Sequence, residues 1–336
     1  MRVMVSEYFC SGGLCGGPLE ADLLREGAAM LRTLVEDFVA AGHDVVVPLD
    51  ERLPRDLPGT VIAVDAGSPL RAAACWEREA AAADAALVVA PESDGLLATA
   101  IDGLERLAVA NLGSSASAVR ACSDKHALGR RLAASGLPTP AGFLGLGQAA
   151  SLLERAGEII VKPNRGAGCT DTFVCRSMAD VGRLPIRSDW LVQPRCRGLA
   201  ASAAIVVPPH GAATPLRAGM QRVAATDAAD APCRLVYSGG ELPLPAALES
   251  RALALATAAV SRLPGLRGLV GIDLVLGDAP AEDVVIEVNP RPTVAYVGLR
   301  RLARFSIPKL IVGDRPTVAW GPGVVRYAAD GGCEWS

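Results

Sequence analysis

At 336 residues the chain has length for about two or three domains and a sizeable core. Its hydrophobic share of 51% owes more to Ala than to large side chains, since aromatics make up only 4%. A net charge of −3 without Lys/Arg blocks leaves no footprint for nucleic acid, and no apolar run reaches the roughly 18 residues of a membrane span.

Taken in order, residues 2–6 read as a strand, 19–41 as a helix and 44–47 as a second strand. Further strands follow at 60–64, 86–90 and near 109–112, separated by Ala-rich helical stretches at 69–84 and 93–107. Strands alternating with helices predict a small parallel α/β sheet over residues 1–112. Helices over 116–135 then lead to Gly136-Leu-Pro-Thr-Pro140, a stiff turn that marks a subdomain edge. Residues 208–214 read as a hairpin turn, 224–232 as an exposed loop and 248–263 as a helix.

The opening residues form a strand pattern containing Glu7 rather than a signal peptide, and nine cysteines without any Cys-x-x-Cys argue against a disulfide framework or zinc site. Free thiols in a cytoplasmic enzyme are the expectation, with Cys169 the thiol most open to oxidation. The three histidines are too scattered for a metal cluster. Arg300, Arg301 and Arg304 form the most basic spot, read as a solvated face or anion-steering rim.

The densest chemistry lies near the carboxyl end. Two apolar runs, 269–276 and 284–288, are bounded by Gly-Asp and Asn-Pro and read as neighbouring buried strands. Glu287 and Asn289 are two apart and share a strand face, and Asp273 adds an oxygen from the next strand. Hard oxygen donors suit Mg²⁺ that is also held by substrate phosphates, and Mn²⁺ is an admissible substitute. Arg291 stands just beyond, where a planar cation can clamp a phosphoryl group. The alternative is a strand pair that merely ends in polar residues.

Lysine usage bears on that choice. Among 33 basic residues only Lys125, Lys162 and Lys309 are lysines. Lys125 opens a helix in Ser-Asp-Lys-His. Lys162 ends a strand and precedes Asn164-Arg-Gly166-Ala-Gly168-Cys-Thr170, a small-residue loop that lets backbone approach phosphate oxygens. No Walker A loop occurs anywhere.

In order, Ser123-Asp-Lys125, Val161-Lys-Pro163 with its glycine loop, Val192-Gln193 through Gly198 to Ser202, Gly271-Ile-Asp273 and Glu287-Val-Asn-Pro-Arg291 resemble the ATP-grasp superfamily. The resemblance covers roughly 110–300 and implies an α/β and α+β protein of the ATP-grasp fold. Its implied parts are an N-terminal parallel-sheet domain (1–112), a helical connection (113–140), a mobile lid (141–192) and a C-terminal metal-binding subdomain (193–336). It further implies Lys125, Lys162, Gly166, Gly168 and the hinge residues Gln193, Pro194, Arg195 and Cys196 on ATP. Asp273, Glu287 and Asn289 would hold the metal, with Arg291 and Lys162 on the transferring phosphoryl group. One departure from many relatives is that Gly198-Leu-Ala-Ala-Ser202 offers no acidic residue for the ribose.

The amino-terminal Ser6-Glu7-Tyr8-Phe9-Cys10-Ser11-Gly12-Gly13 resembles the opening of the tyramine–glutamate ligase branch, which serves methanofuran-type cofactor synthesis. Arg25-Glu26-Gly27 and Thr293-Val-Ala-Tyr296 fit the same branch. Residues 11–13 lie between a strand and a helix starting near Pro18 and could bring N–H groups to a carboxylate, or form an ordinary loop. Glu7, Ser11, Gly12, Gly13, Thr293 and Tyr296 are substrate-pocket candidates by that resemblance, with Tyr8 and Tyr296 equally readable as packed aromatics. The implied activity is an ATP-dependent carboxylate–amine ligase forming an amide through an acyl phosphate, joining glutamate to tyramine or tyrosine. Its partners are small-molecule carboxylates and amines. Another amino-acid or dipeptide ligase, or a non-catalytic ATP-binding module, are the alternatives.

Overall fold

A computed structural model describes residues 1–166, 168–185, 187–226 and 232–335. The first unit alternates strand and helix: β1 (Arg2–Glu7), α1 (Ala21–Ala40), β2 (Asp44–Asp50), β3 (Thr60–Val64), α2 (Pro69–Ala81), β4 (Ala85–Val89), α3 (Leu96–Arg106) and β5 (Ala110–Asn111). Its strands form one parallel sheet in the order β3-β2-β1-β4-β5. Period-two alternation divides each strand between two cores. Val3, Val5, Val45 and Val47 pack with Leu34 and Phe38 of α1, whereas Met4, Val46, Ala86 and Val88 pack with Leu97, Ile101 and Leu104 of α3. Burial on both faces explains why these strands read as continuous apolar runs.

Because β1 pairs with both β2 and β4, strand order reverses there, and ligands bind such sheets at the carboxyl ends beside the reversal. Glu7 ends β1, and Glu92 follows β4 by three residues. The chain then forms α4 (Ala116–Ser123) and α5 (Lys125–Ala134). The break falls at Asp124, whose carboxylate accepts from the Ala127 N–H at 2.9 Å and caps α5.

The segment expected as a lid comprises β6 (Phe143–Leu144), α6 (Ala149–Ala156), β7 (Ile159–Pro163), β8 (Phe173–Cys175), α7 (Met178–Gly182) and β9 (Trp190–Pro194). Its own small core gathers Leu152, Ile159, Val161, Phe173 and Trp190. Strand β9 runs two residues beyond the boundary expected at 192, because Pro194 still pairs with Ile159 of β7.

The remainder contains β10 (Leu199–Val207), β11 (Thr214–Thr226), β12 (Cys233–Leu242), α8 (Ala246–Ser261), β13 (Gly268–Leu276), β14 (Val284–Asn289), α9 (Ala295–Leu302), α10 (Ile307–Ile311), β15 (Val325–Ala328) and β16 (Cys333–Trp335). Strands β14-β13-β10-β11-β12 continue through β8 into the lid sheet, joined there by Cys233 opposite Val174 and Arg234 opposite Phe173. The hairpin turn at 208–214 falls between β10 and β11 as expected. The loop expected over 224–232 is shorter: Ala224, Ala225 and Thr226 pair with Val236, Leu235 and Arg234, and 227–231 lie outside the described residues.

Helix α9 returns to the first unit, where Tyr296, Leu299 and Leu302 share a core with Leu34 and Phe38. Arg300, read as part of a solvated basic rim, instead pairs with Asp37 at 2.8 Å and Glu36 at 3.0 Å. Among the described residues no helix is long and apolar enough to cross a membrane.

Candidate active site

Strands β13 and β14 pair so that Asp273 faces Glu287 and Gly271 faces Asn289. Directly opposite residues have Cβ atoms about 4.5–5.5 Å apart, which puts two carboxylates and an amide on one patch. Asn289 Nδ2 donates to Asp273 Oδ2 at 3.0 Å, and Gln221 Nε2 of β11 donates to Oδ1 at 2.9 Å. Burial, then the Glu287 charge, pushes the Asp273 carboxyl up to about 6. Burial works in the same sense on Glu287, but Lys125 and Lys162 outweigh it and hold that carboxyl below its usual range.

The lysines arrive from two elements. Asn164, at the end of β7, accepts the Lys125 N–H with its carbonyl at 3.2 Å and the His126 N–H with Oδ1 at 2.8 Å. This ties the first turn of α5 to the lid loop. Lys125 Nζ then reaches Glu287 Oε1 at 3.0 Å and the Gly166 carbonyl at 2.5 Å. Lys162 is buried, and its ammonium is pulled below the ordinary lysine range by desolvation, with Glu287 opposing and Lys125 adding to the fall.

Among the described residues no three His, Cys, Asp or Glu side chains gather as a metal site. Two carboxylates and the Asn289 amide would be the donor set, with ligand oxygens completing the shell. The set still fits a hard divalent cation, because Asp273 is held by the neutral side chains of Asn289, Gln221 and Ser202, with no ion pair to a cation among the described residues.

These groups face a cavity of about 550 Å³. Lys125, Lys162, Gly166, Gly168, Gln193, Arg195, Cys196, Asp273, Glu287, Asn289, Arg291 and Thr293 line it; Pro194 does not. At the β9–β10 hinge, Gly198 has φ +138°, and a Cβ there would stand 2.3 Å from the Leu276 carbonyl oxygen, so only glycine lets the strands approach. Arg195 is held by Glu158 at 3.2 Å. Cys169 also lines the cavity, and burial pushes its thiol up to about 11, away from the reactive thiolate expected of an oxidation-sensitive cysteine.

The amino-terminal candidates do not reach the cavity wall. Glu7 is buried behind it, where Oε2 accepts the Cys10 N–H at 2.9 Å and burial raises the carboxyl to about 7. A Cβ on Gly27 would come within 2.5 Å of the same oxygen, so α1 packs directly on this carboxyl. Ser11 Oγ accepts the Glu7 N–H at 3.2 Å, and the Gly13 N–H donates to the Tyr8 carbonyl at 2.8 Å. The loop with Gly12 thus closes on itself, and α1 starts at Ala21 rather than near Pro18. Tyr8 packs edge-on against Phe9. Tyr296 is fully buried and donates its hydroxyl to Asp37 Oδ2 at 2.6 Å, which makes it the packed aromatic of the two readings.

Sequence reasoning passed over Glu92, which pairs with Arg291, and Gln221, which holds Asp273. A carboxylate after β4, at the strand reversal, was the available signal for Glu92; nothing in the local sequence marks Gln221. Glu26, Tyr237 and Tyr327 also line the cavity.

The sequence model of the ATP-grasp domain matches residues 122–295, and that of the pre-ATP-grasp 3 domain matches 43–119. A curated relative, the tyramine–L-glutamate ligase of Methanocaldococcus fervens, is 25% identical over 218 residues, covering 65% of this chain and 62% of the relative. The match thus spans less than two thirds of that protein. Among solved structures, an ATP-grasp superfamily protein from Archaeoglobus fulgidus superposes with a TM-score of 0.73 at 22% identity, covering 97% of this chain and 92% of that one. A D-alanine–D-alanine ligase from Bacillus anthracis gives 0.59 at 17% identity, covering 87% and 88%. These likenesses carry the fold.

Proposed function

The chain belongs to the ATP-grasp family, and from that premise we propose that it is an ATP-dependent carboxylate–amine ligase, joining the side-chain carboxyl of glutamate to tyramine or tyrosine. The observation that carries the reading is the cluster of Lys125, Lys162, Glu287, Asp273, Asn289 and Arg291 on one cavity. The substrate choice is supported by the partial similarity to tyramine–L-glutamate ligase.

A carboxylate oxygen attacks the γ-phosphorus of ATP, ADP leaves, and an acyl phosphate forms. The amine nitrogen then attacks the acyl carbon, the C–O bond to phosphate breaks, and the amine loses a proton. Activation is needed because phosphate leaves far more readily than hydroxide or oxide. Lys162, held uncomfortably without solvent, gains most when phosphate oxygens replace lost hydration. Lys125 links the glycine loop to Glu287, so phosphates bound there meet both lysines. Arg291 offers a planar cation for the transferring phosphoryl group. A divalent ion held by Asp273, Glu287 and Asn289 would neutralise further phosphate charge. Closure of the lid would keep water from the acyl phosphate.

The test is ADP release with Mg²⁺-ATP and glutamate, with and without tyramine or tyrosine, and mass spectrometry of the product. Release that needs both partners and yields a γ-glutamyl amide is expected. No release with either amine would remove this substrate assignment.

A further inference from the structure

We propose that Glu26 is the residue that receives the cationic amino group of the acceptor substrate, an amine carried on an apolar body. The inference rests on the ligase reading above and deepens it by placing the acceptor.

Glu26 comes from α1 of the first unit yet lines the same cavity as the lysines and the metal-ligand candidates. The neighbouring carboxylates are all engaged. Glu92 is paired with Arg291, Glu287 with Lys125, Asp273 with two amides, and Glu7 with the Cys10 N–H. Among the described residues Glu26 makes no hydrogen bond or ion pair of its own; the charge it feels is that of Arg291. Since Glu92 already balances Arg291, Glu26 adds negative charge to the wall, which a cation from outside can match.

The surroundings select the body of that cation. Tyr237 and Tyr327 share a hydrogen bond and line the cavity together with Val223, Leu235, Val294 and Ala295. The Glu26 charge is felt at Tyr237. A carboxylate beside aromatic and aliphatic surface suits a primary ammonium on an apolar or aromatic frame. Arg291, proposed to face the phosphoryl group, is the cation whose charge reaches Glu26, so an ammonium held there would lie on the side of the activated carboxyl and pass one proton to the Glu26 carboxylate or to water before its nitrogen attacks.

The experiment compares two nucleophiles in the full-length protein with Mg²⁺-ATP and glutamate. Tyramine is an ammonium at neutral pH, whereas hydroxylamine is mostly uncharged and traps acyl phosphates as hydroxamates. For Glu26→Gln the ratio of tyramine amide to hydroxamate formation should fall at least tenfold, through a raised KM for tyramine, and Glu26→Asp should recover part of it. An unchanged ratio, or equal loss of both products, overturns the role of Glu26 while leaving the ligase intact. If the wild-type protein makes neither amide nor hydroxamate, the ligase reading fails on its own. Calorimetry with tyramine and tyrosine then decides Glu26: binding at least tenfold weaker in Glu26→Gln supports it, and equal binding or none overturns it.

Discussion

Arg291 and Glu92 lie 199 residues apart and meet in an ion pair, with Nε 2.9 Å from Oε1 and Nη2 donating to Oε2 at 3.1 Å. Their side chains are only 12% and 7% exposed. The pair fastens the segment after β14 to the strand-reversal crevice of the first sheet, and so aims the cation proposed for the phosphoryl group. Breaking a buried pair costs about 3–5 kcal/mol, and access of water from the cavity should reduce this to roughly 2–4 kcal/mol for Glu92→Ala. Urea denaturation measures it. A variant as stable as the wild type would mean that the pair contributes no structural lock.

Glu287 is the anion shared by Lys125, Lys162 and the proposed donor set for a metal. Glu287→Ala should lower ADP release by about 100-fold or more, judged by the loss of a comparable electrostatic contact. Circular dichroism should be preserved, while Mn²⁺ binding followed by electron paramagnetic resonance should weaken. Full activity in the folded variant would remove the metal assignment.

The buried Glu7 gives a pH signature. Its carboxyl titrates near 7 in the folded protein against 4.5 as the ordinary value. The folded state therefore keeps a proton that the unfolded chain releases, and stability falls as pH rises from about 4.5 through 7. Glu7→Gln abolishes this loss and still offers an oxygen to the Cys10 N–H. It should be more stable than the wild type by roughly 1–3 kcal/mol at pH 8 and by little near pH 4, at about 1.36 kcal/mol per pKa unit. Melting temperatures across that range check it; a constant difference would contradict the buried titration.

Tyr296→Phe removes a hydroxyl donated to Asp37 and leaves the ring in its core. A hydrogen bond to a charged group contributes about 1.5–3 kcal/mol, and because Asp37 keeps Arg300 as a partner the loss should lie at the lower end of that range. The expected outcome is a lower unfolding midpoint. A rise in KM for glutamate or the amine, with the midpoint unchanged, would return Tyr296 to the substrate pocket.

Much of the site was legible because its parts are local. A lysine ending an apolar strand before a glycine loop needs no distant information, nor do two ligands spaced at strand period. The same locality misled elsewhere. Glu7, Ser11, Gly12 and Gly13 sit in a motif that suggests a binding loop, but Glu7 Oε2 accepts the Cys10 N–H, Ser11 Oγ the Glu7 N–H and the Gly12 carbonyl the Cys15 N–H, while the Gly13 N–H goes to the Tyr8 carbonyl. Arg300 looked like surface until α9 packed on α1 and set it against Asp37.

By itself, then, the sequence determined the alternation of strands and helices, the ATP-grasp family and the lysine, carboxylate and amide groups. The elements and the candidate side chains follow from side-chain period or from spacing within one segment, whereas the family rests on the resemblance of ordered motifs across roughly 110–300. Only the tertiary structure decided that Glu92 balances Arg291, that Gln221 holds Asp273 and that Glu26 faces the cavity without a partner among the described residues. Those relationships arise from α1, β4, β11 and β14 packing together across most of the chain, and no local pattern encodes which distant charge a side chain will meet.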